Sequence, residues 1–246
     1  MSFTTRVIPV IDLMRGEVVR GVRGERHAYR PIVSRLVEGS APCDVALALR
    51  KAAPPVPGRE PVLYVADLDA IQGGAPQVKV LADLLHGEPD LSIWLDAGFT
   101  GPASVRTLRA DLGAAAARLR PVYGSETLAG AADLDELGAD PHAILSLDSR
   151  LERPLDPSGS WQRPQAWPGT VIVMTLDRVG AASGPDLSTF SRLRALSPDR
   201  HWVGAGGVRD AQDLRAASAA GAAGWLVASA LHDGTLVVSG HGRDDS

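Results

Sequence analysis

The chain is short of features that mark several large functional classes. It has one cysteine, Cys43, so no internal disulfide can form, which fits a reducing compartment. No apolar run approaches the roughly 18 residues that a membrane-spanning helix needs. Basic residues are not in excess: the formal net charge is −4, which argues against nucleic acid as the main partner. The opening Met-Ser-Phe-Thr-Thr-Arg runs straight into Val-Ile-Pro-Val-Ile-Asp, too short and too soon interrupted for a signal peptide. The expected location is cytoplasmic. The histidines at 27, 86, 142, 201, 232 and 241 lack ligand spacing on one element, so no metal is expected. There is no Walker loop, no Rossmann fingerprint and no Gly-x-Ser-x-Gly elbow, and no cofactor is expected.

What is present is a regular alternation. A hydrophobic fraction of 45% over 246 residues supports a sizeable core in one large domain, 1–246. Short, near-continuous apolar runs fall at Val7–Ile11, Val62–Ala66, Ser92–Leu95, Pro121–Tyr123, Ala143–Leu147, Thr170–Met174, Trp202–Val203 and Trp225–Val227. They read as strands buried on both faces. Helical patterns lie between them at 45–51, 77–85, 102–112, 129–137, 187–196 and 211–220. The pattern predicts an α/β fold, a (β/α)8 TIM barrel, with a doubly wound open sheet as the alternative. Two connections are abnormal. Residues 149–169, between strands five and six, lack a helical period. After strand eight no closing helix is visible, and residues 239–246 are a polar tail. A missing outer helix would leave apolar strand surface for a partner subunit to cover, so a homo-oligomer is expected. Echoes such as Leu95-Asp-Ala-Gly against Gly204-Ala-Gly-Gly point to a two-fold repeat of half-barrels, about 1–137 and 138–238.

The most informative stretch is 201–230. Gly206 and Gly207 follow one strand, and Ala228 and Ser229 follow the next. Small residues that open into helices leave backbone N–H groups free for a phosphate dianion. The plainer reading is two βα turns that need glycine for steric reasons. Asp210 is placed to cap the helix that starts at Ala211.

Six aspartates, Asp12, Asp67, Asp69, Asp96, Asp148 and Asp177, fall at strand ends, the face on which barrels build active sites. Strands one and five lie across a barrel from each other, so Asp12 and Asp148 are expected to face each other over its mouth as acid and base. Asp67 and Asp69 read as caps or partners of rim residues. The loop from Met14 to Ser34 is rich in arginine. Arg20 and Arg23 suit a bidentate fork for an anion, or this segment is a shielding hairpin, with Val18-Val19 between Gly16 and Gly21.

Ile8-Pro-Val-Ile-Asp-Leu, Asp67-Leu-Asp-Ala, Ser146-Leu-Asp-Ser-Arg and Gly206-Gly-Val-Arg-Asp together resemble the ProFAR isomerase family (HisA) and its cyclase relative (HisF) of histidine biosynthesis. The resemblance implies a two-fold-repeated barrel that holds a bisphosphorylated substrate at both ends. It implies one phosphate at Gly206, Gly207, Ala228 and Ser229, another at Gly98, Gly124 and Ser125, and catalytic roles for Asp12 and Asp148. Two positions depart from the family. Val179 stands where the family has a second catalytic aspartate, with Asp177 two residues earlier. Asp96-Ala-Gly98 stands where the family has three glycines. The arginine-rich loop is similar to that of a divergent branch, which implies a phosphorylated intermediate in methanopterin or methanofuran one-carbon carrier synthesis. A ProFAR isomerase using Asp177 and a non-catalytic phosphate-binding barrel are the alternatives.

Overall fold

The computed structural model describes residues 5–21, 29–56 and 58–238. Arg23 and the tail 239–246 lie outside these residues. Eight parallel strands close into a barrel: β1 (Arg6–Met14), β2 (Val62–Asp67), β3 (Ser92–Asp96), β4 (Leu119–Gly124), β5 (Ile144–Arg150), β6 (Thr170–Thr175), β7 (His201–Ala205) and β8 (Gly224–Val227). Each pairs with the next, and β8 pairs with β1 through Ile8 and Leu226. Every predicted strand is present. The (β/α)8 fold read from the sequence is the one observed.

The core divides as strand pleating requires. Ile8, Tyr64, Trp94, Val122, Ile144 and Ile172 fill the barrel interior. Their strand neighbours, such as Leu63, Leu95, Leu145 and Val173, pack outward under the helices. Those helices are α1 (Pro42–Ala52), α2 (Val78–Gly87), α3 (Pro102–Leu112), α4 (Ala131–Ala139), α5 (Leu187–Leu196) and α6 (Ala211–Ala219). Asp210 caps α6 by accepting from the N–H groups of Gln212 and Asp213, as expected. No helix among the described residues is long and apolar enough to cross a membrane.

β1 and β5, the first strands of the two expected halves, share a backbone feature. Both run past the barrel into antiparallel hairpins. Three residues after Asp12 the chain turns at Arg15-Gly16, and three residues after Asp148 it turns at Leu151-Glu152. All four turn residues have positive φ, between 49° and 82°, as a type I′ hairpin turn demands. Leu151 and Glu152 adopt this conformation without glycine.

The connection between β5 and β6 is irregular, as expected. Two single-turn segments, Ser160–Gln162 and Pro164–Ala166, stand where a helix would lie. Their anchors are Trp161 and Trp167, both buried. Trp167 meets Trp202 edge-on with centroids 5.6 Å apart, and Phe190 bridges Trp202 and Trp225. Such pairs each contribute about 0.5–1.5 kcal/mol beyond simple burial.

After β8 there is one short turn of helix, Ser229–His232. The uncovered strand surface expected there is not found. Trp225 and Val227 are buried, and Leu236 of the closing segment packs into the same cluster. The chain itself covers the gap.

Candidate active site

The aspartates are positioned by strand register. Asp12 pairs with Ala66, and Ala66 pairs with Asp96. Two strand spacings put the two Cα atoms roughly 10 Å apart. The small Ala66 between them leaves both carboxylates in a cavity of about 550 Å³ at the C-terminal mouth of the barrel. Burial, followed by the charge of Asp96, pushes the Asp12 carboxyl up to about 7. Asp96 is pushed up to about 6 by burial and by Glu126, against the pull of the Gly98 N–H and the Tyr64 hydroxyl. Those bonds measure 3.1 Å and 3.3 Å.

Asp148, expected opposite Asp12, is buried, and its charge, like those of Asp12 and Asp96, acts on the Tyr64 hydroxyl. It has the inward register, but the β5–β6 connection folds over it. Ser146 donates to its Oδ1 at 2.6 Å, Ser125 Oγ accepts its backbone N–H, and Leu155 N–H bonds to its carbonyl. Asp148 is 6% exposed and is not on the cavity wall. Burial and Asp96 raise its carboxyl well above the usual range, against the Ser146 bond. Asp96, Glu126, Asp210 and Asp233 share the cavity wall with Asp12, and Asp96 is the one in register with it.

Gly206, Gly207, Ala228 and Ser229 all line the cavity. No acceptor among the described residues takes the N–H of Gly206, Gly207 or Ser229. Trp225 Nε1, packed outside the barrel, donates to the Gly206 carbonyl at 3.1 Å. C=O and N–H are antiparallel across a peptide, so this bond turns the Gly207 N–H inward. Steric need is also real at this turn. Gly207 has φ +82°, and a Cβ there would lie 2.1 Å from the Gly184 carbonyl oxygen. Arg178 and Arg209 stand on the same wall. Arg178 donates to the Ser183 carbonyl at 3.1 Å, and Arg209 pairs with Asp213 at 2.8 Å. The arrangement supplies backbone donors beside Arg178 and Arg209, with Asp210 and Asp233 also on the wall, and such donors suit a phosphate.

Of the three residues expected to form a second phosphate site, Gly98 and Ser125 have their N–H groups engaged. Gly98, Gly124 and Ser125 do not line the cavity. Ser125 is fully buried. Its N–H bonds to Ser146 and its hydroxyl donates to Leu155. The Gly98 N–H bonds to Asp96.

Arg20 is on the wall, but its fork is already bidentate with Asp233 at 2.6 Å and 2.7 Å. The segment is both hairpin and cavity lining. Asp177 points away from the cavity and accepts the backbone N–H of Leu151, whereas Val179 lines it. Asp67 caps the short helix Leu68–Ile71 through Ala70 N–H, and Asp69 accepts from Arg15 N–H. Both therefore act structurally. His232, read only as lacking metal spacing, is buried on the cavity wall. Its Nδ1 meets Ser34 Oγ at 2.9 Å and its Nε2 has no partner. Burial and Arg20 lower its pKa to about 4. Among the described residues no group of three or more potential metal ligands occurs. Tyr64 and Glu126 were also missed. Inward strand parity two residues before Ala66 is the signal that picks out Tyr64.

Comparison with known proteins supports the family resemblance. The histidine biosynthesis protein family matches residues 163–237, which include β6, β7 and β8. A protein of Xanthomonas campestris named 1-(5-phosphoribosyl)-5-((5-phosphoribosylamino)methylideneamino) imidazole-4-carboxamide isomerase is 29% identical, over 96% of this chain and 97% of its own. A protein of the same name from Maricaulis maris is 33% identical over 47% of this chain and 48% of its own. An uncharacterized protein of Methanocaldococcus jannaschii is 26% identical over 94% of this chain and 95% of its own.

Proposed function

We propose that this relative of the histidine biosynthesis proteins is an enzyme that acts on a phosphorylated small molecule. The backbone N–H groups of Gly206, Gly207 and Ser229 hold the phosphate, and Asp12 transfers the proton. One observation carries the reading. A carboxyl lifted close to neutrality lies in the same cavity as three unused N–H donors. An acid–base group works best when its pKa is near the working pH. Asp148 remains a second acid–base candidate, while Asp177 is engaged by the Leu151 N–H. The reading is tested by deleting the gene and complementing it. Asp12→Asn should fold normally and fail to restore the lost function, and full restoration would remove the assignment.

The finer reading is a step in methanopterin or methanofuran one-carbon carrier synthesis. It is supported by Val179 in the cavity, where an isomerase has its second aspartate, and by the arginine-rich loop that resembles the divergent branch. The second reading, a ProFAR isomerase, is favoured by the names of the Xanthomonas relatives. Accumulation of carrier precursors in the deletion strain supports the first, and histidine auxotrophy supports the second.

A further inference from the structure

The cavity has two chemically different ends. At the β7–β8 end, unused N–H groups stand near Arg178 and Arg209. At the β3–β4 end the wall carries Asp96 and Glu126. The backbone groups beneath that end are spent. Gly98 N–H is taken by Asp96 itself, and Ser125 has neither a free N–H nor an accessible hydroxyl. The Gly98 turn is also closed from behind, since a Cβ there would lie 3.0 Å from Ile71 Cα. The isomerase name given to the Xanthomonas relatives describes a substrate with two phosphoribosyl groups.

We infer that this cavity takes a ligand with one phosphate, seated at Gly206, Gly207 and Ser229, and a nitrogen donor, neutral or cationic, against Asp96 and Glu126. Asp96 is the specificity-determining residue. A second phosphate there would meet carboxylates, and like charges repel. An amine or ring N–H would meet acceptors. Tyr64 fixes the Asp96 carboxylate from the barrel interior at 3.3 Å, so the acceptor is held in place before the ligand arrives.

This inference rests on the phosphate cradle proposed above, and calorimetric titration with three probes separates the two. The probes are inorganic phosphate, the doubly phosphoribosylated imidazole carboxamide of the relatives' name, and its singly phosphorylated 5-amino-imidazole-4-carboxamide half. The expected result is that the half-molecule binds at least about tenfold more tightly than the whole one. Asp96→Asn keeps the size and removes the charge, and it should close that gap. Asp96→Gly should close it further, with a melting scan of each variant to verify the fold. Equal or tighter binding of the whole molecule by the native chain overturns the inference and leaves the cradle standing. So does phosphate binding without binding of the half-molecule. Binding of none of the three probes overturns cradle and inference together.

Discussion

Asp12 and Asp96 flank Ala66 in one row of the barrel wall, and Asp96 is the neighbouring charge that, after burial, lifts the Asp12 carboxyl to about 7. Both groups hold protons in the folded state at a pH where the unfolded chain has released them. Each carboxyl is therefore at no disadvantage below about pH 4. Each costs increasing stability as pH rises to about 6 for Asp96 and about 7 for Asp12. Asp12→Asn or Asp96→Asn should leave the melting temperature at pH 4 nearly unchanged. At pH 8 each should raise stability, on the order of 1 kcal/mol for each unit of pKa displacement relieved. Melting scans at the two pH values check this, and the opposite pH trend would refute it.

Gly207 serves both packing and binding. In Gly207→Ala the left-handed backbone costs about 1–2 kcal/mol, and the methyl must also push against the Gly184 carbonyl. The variant should melt several degrees lower. Calorimetry should show phosphate affinity reduced by at least about tenfold. A Gly206→Ala variant, whose nearest contact is a looser 3.2 Å, should be milder in both respects.

The Arg20–Asp233 pair is partly exposed, with side chains at 35% and 43%. Such pairs contribute about 0–1 kcal/mol, so Asp233→Asn should barely change the melting temperature. It frees a guanidinium fork on the cavity wall, and phosphate affinity should rise several-fold by calorimetry. A large loss of stability would show that the pair is structural.

Asp177 is turned toward Leu151, and Val179 occupies the wall. The chain should fail to rescue a strain that lacks ProFAR isomerase, and Asp177→Asn should complement the deletion as well as the native chain does. Growth of the rescued strain without histidine would decide for the isomerase.

Most of the barrel was legible in the sequence. Val171, Ile172 and Val173 are buried on both faces, and a parallel strand of that kind leaves an unbroken apolar run. The turns that line the cavity were legible because Gly206-Gly207 and Ala228-Ser229 follow two such runs. Other features depend on contacts that are distant in sequence. Leu151-Glu152 turns without glycine or asparagine, so local chemistry gives no sign of the hairpin. That hairpin, with Trp161 donating to Ser125 at 3.3 Å, hides Asp148. Strand order alone gives no sign of that burial. Asp96 was read as one of six strand-end aspartates and as a departure from a glycine run, not as a partner of Asp12. Its row with Asp12 follows from register, which single strands do not reveal.

A crystal structure grown in phosphate tests the account most directly. The account predicts one tetrahedral anion at the mouth, within hydrogen-bond distance of the Gly206, Gly207 and Ser229 nitrogens. An anion beside Asp96 and Gly98, or a cradle filled by side chains, would contradict it.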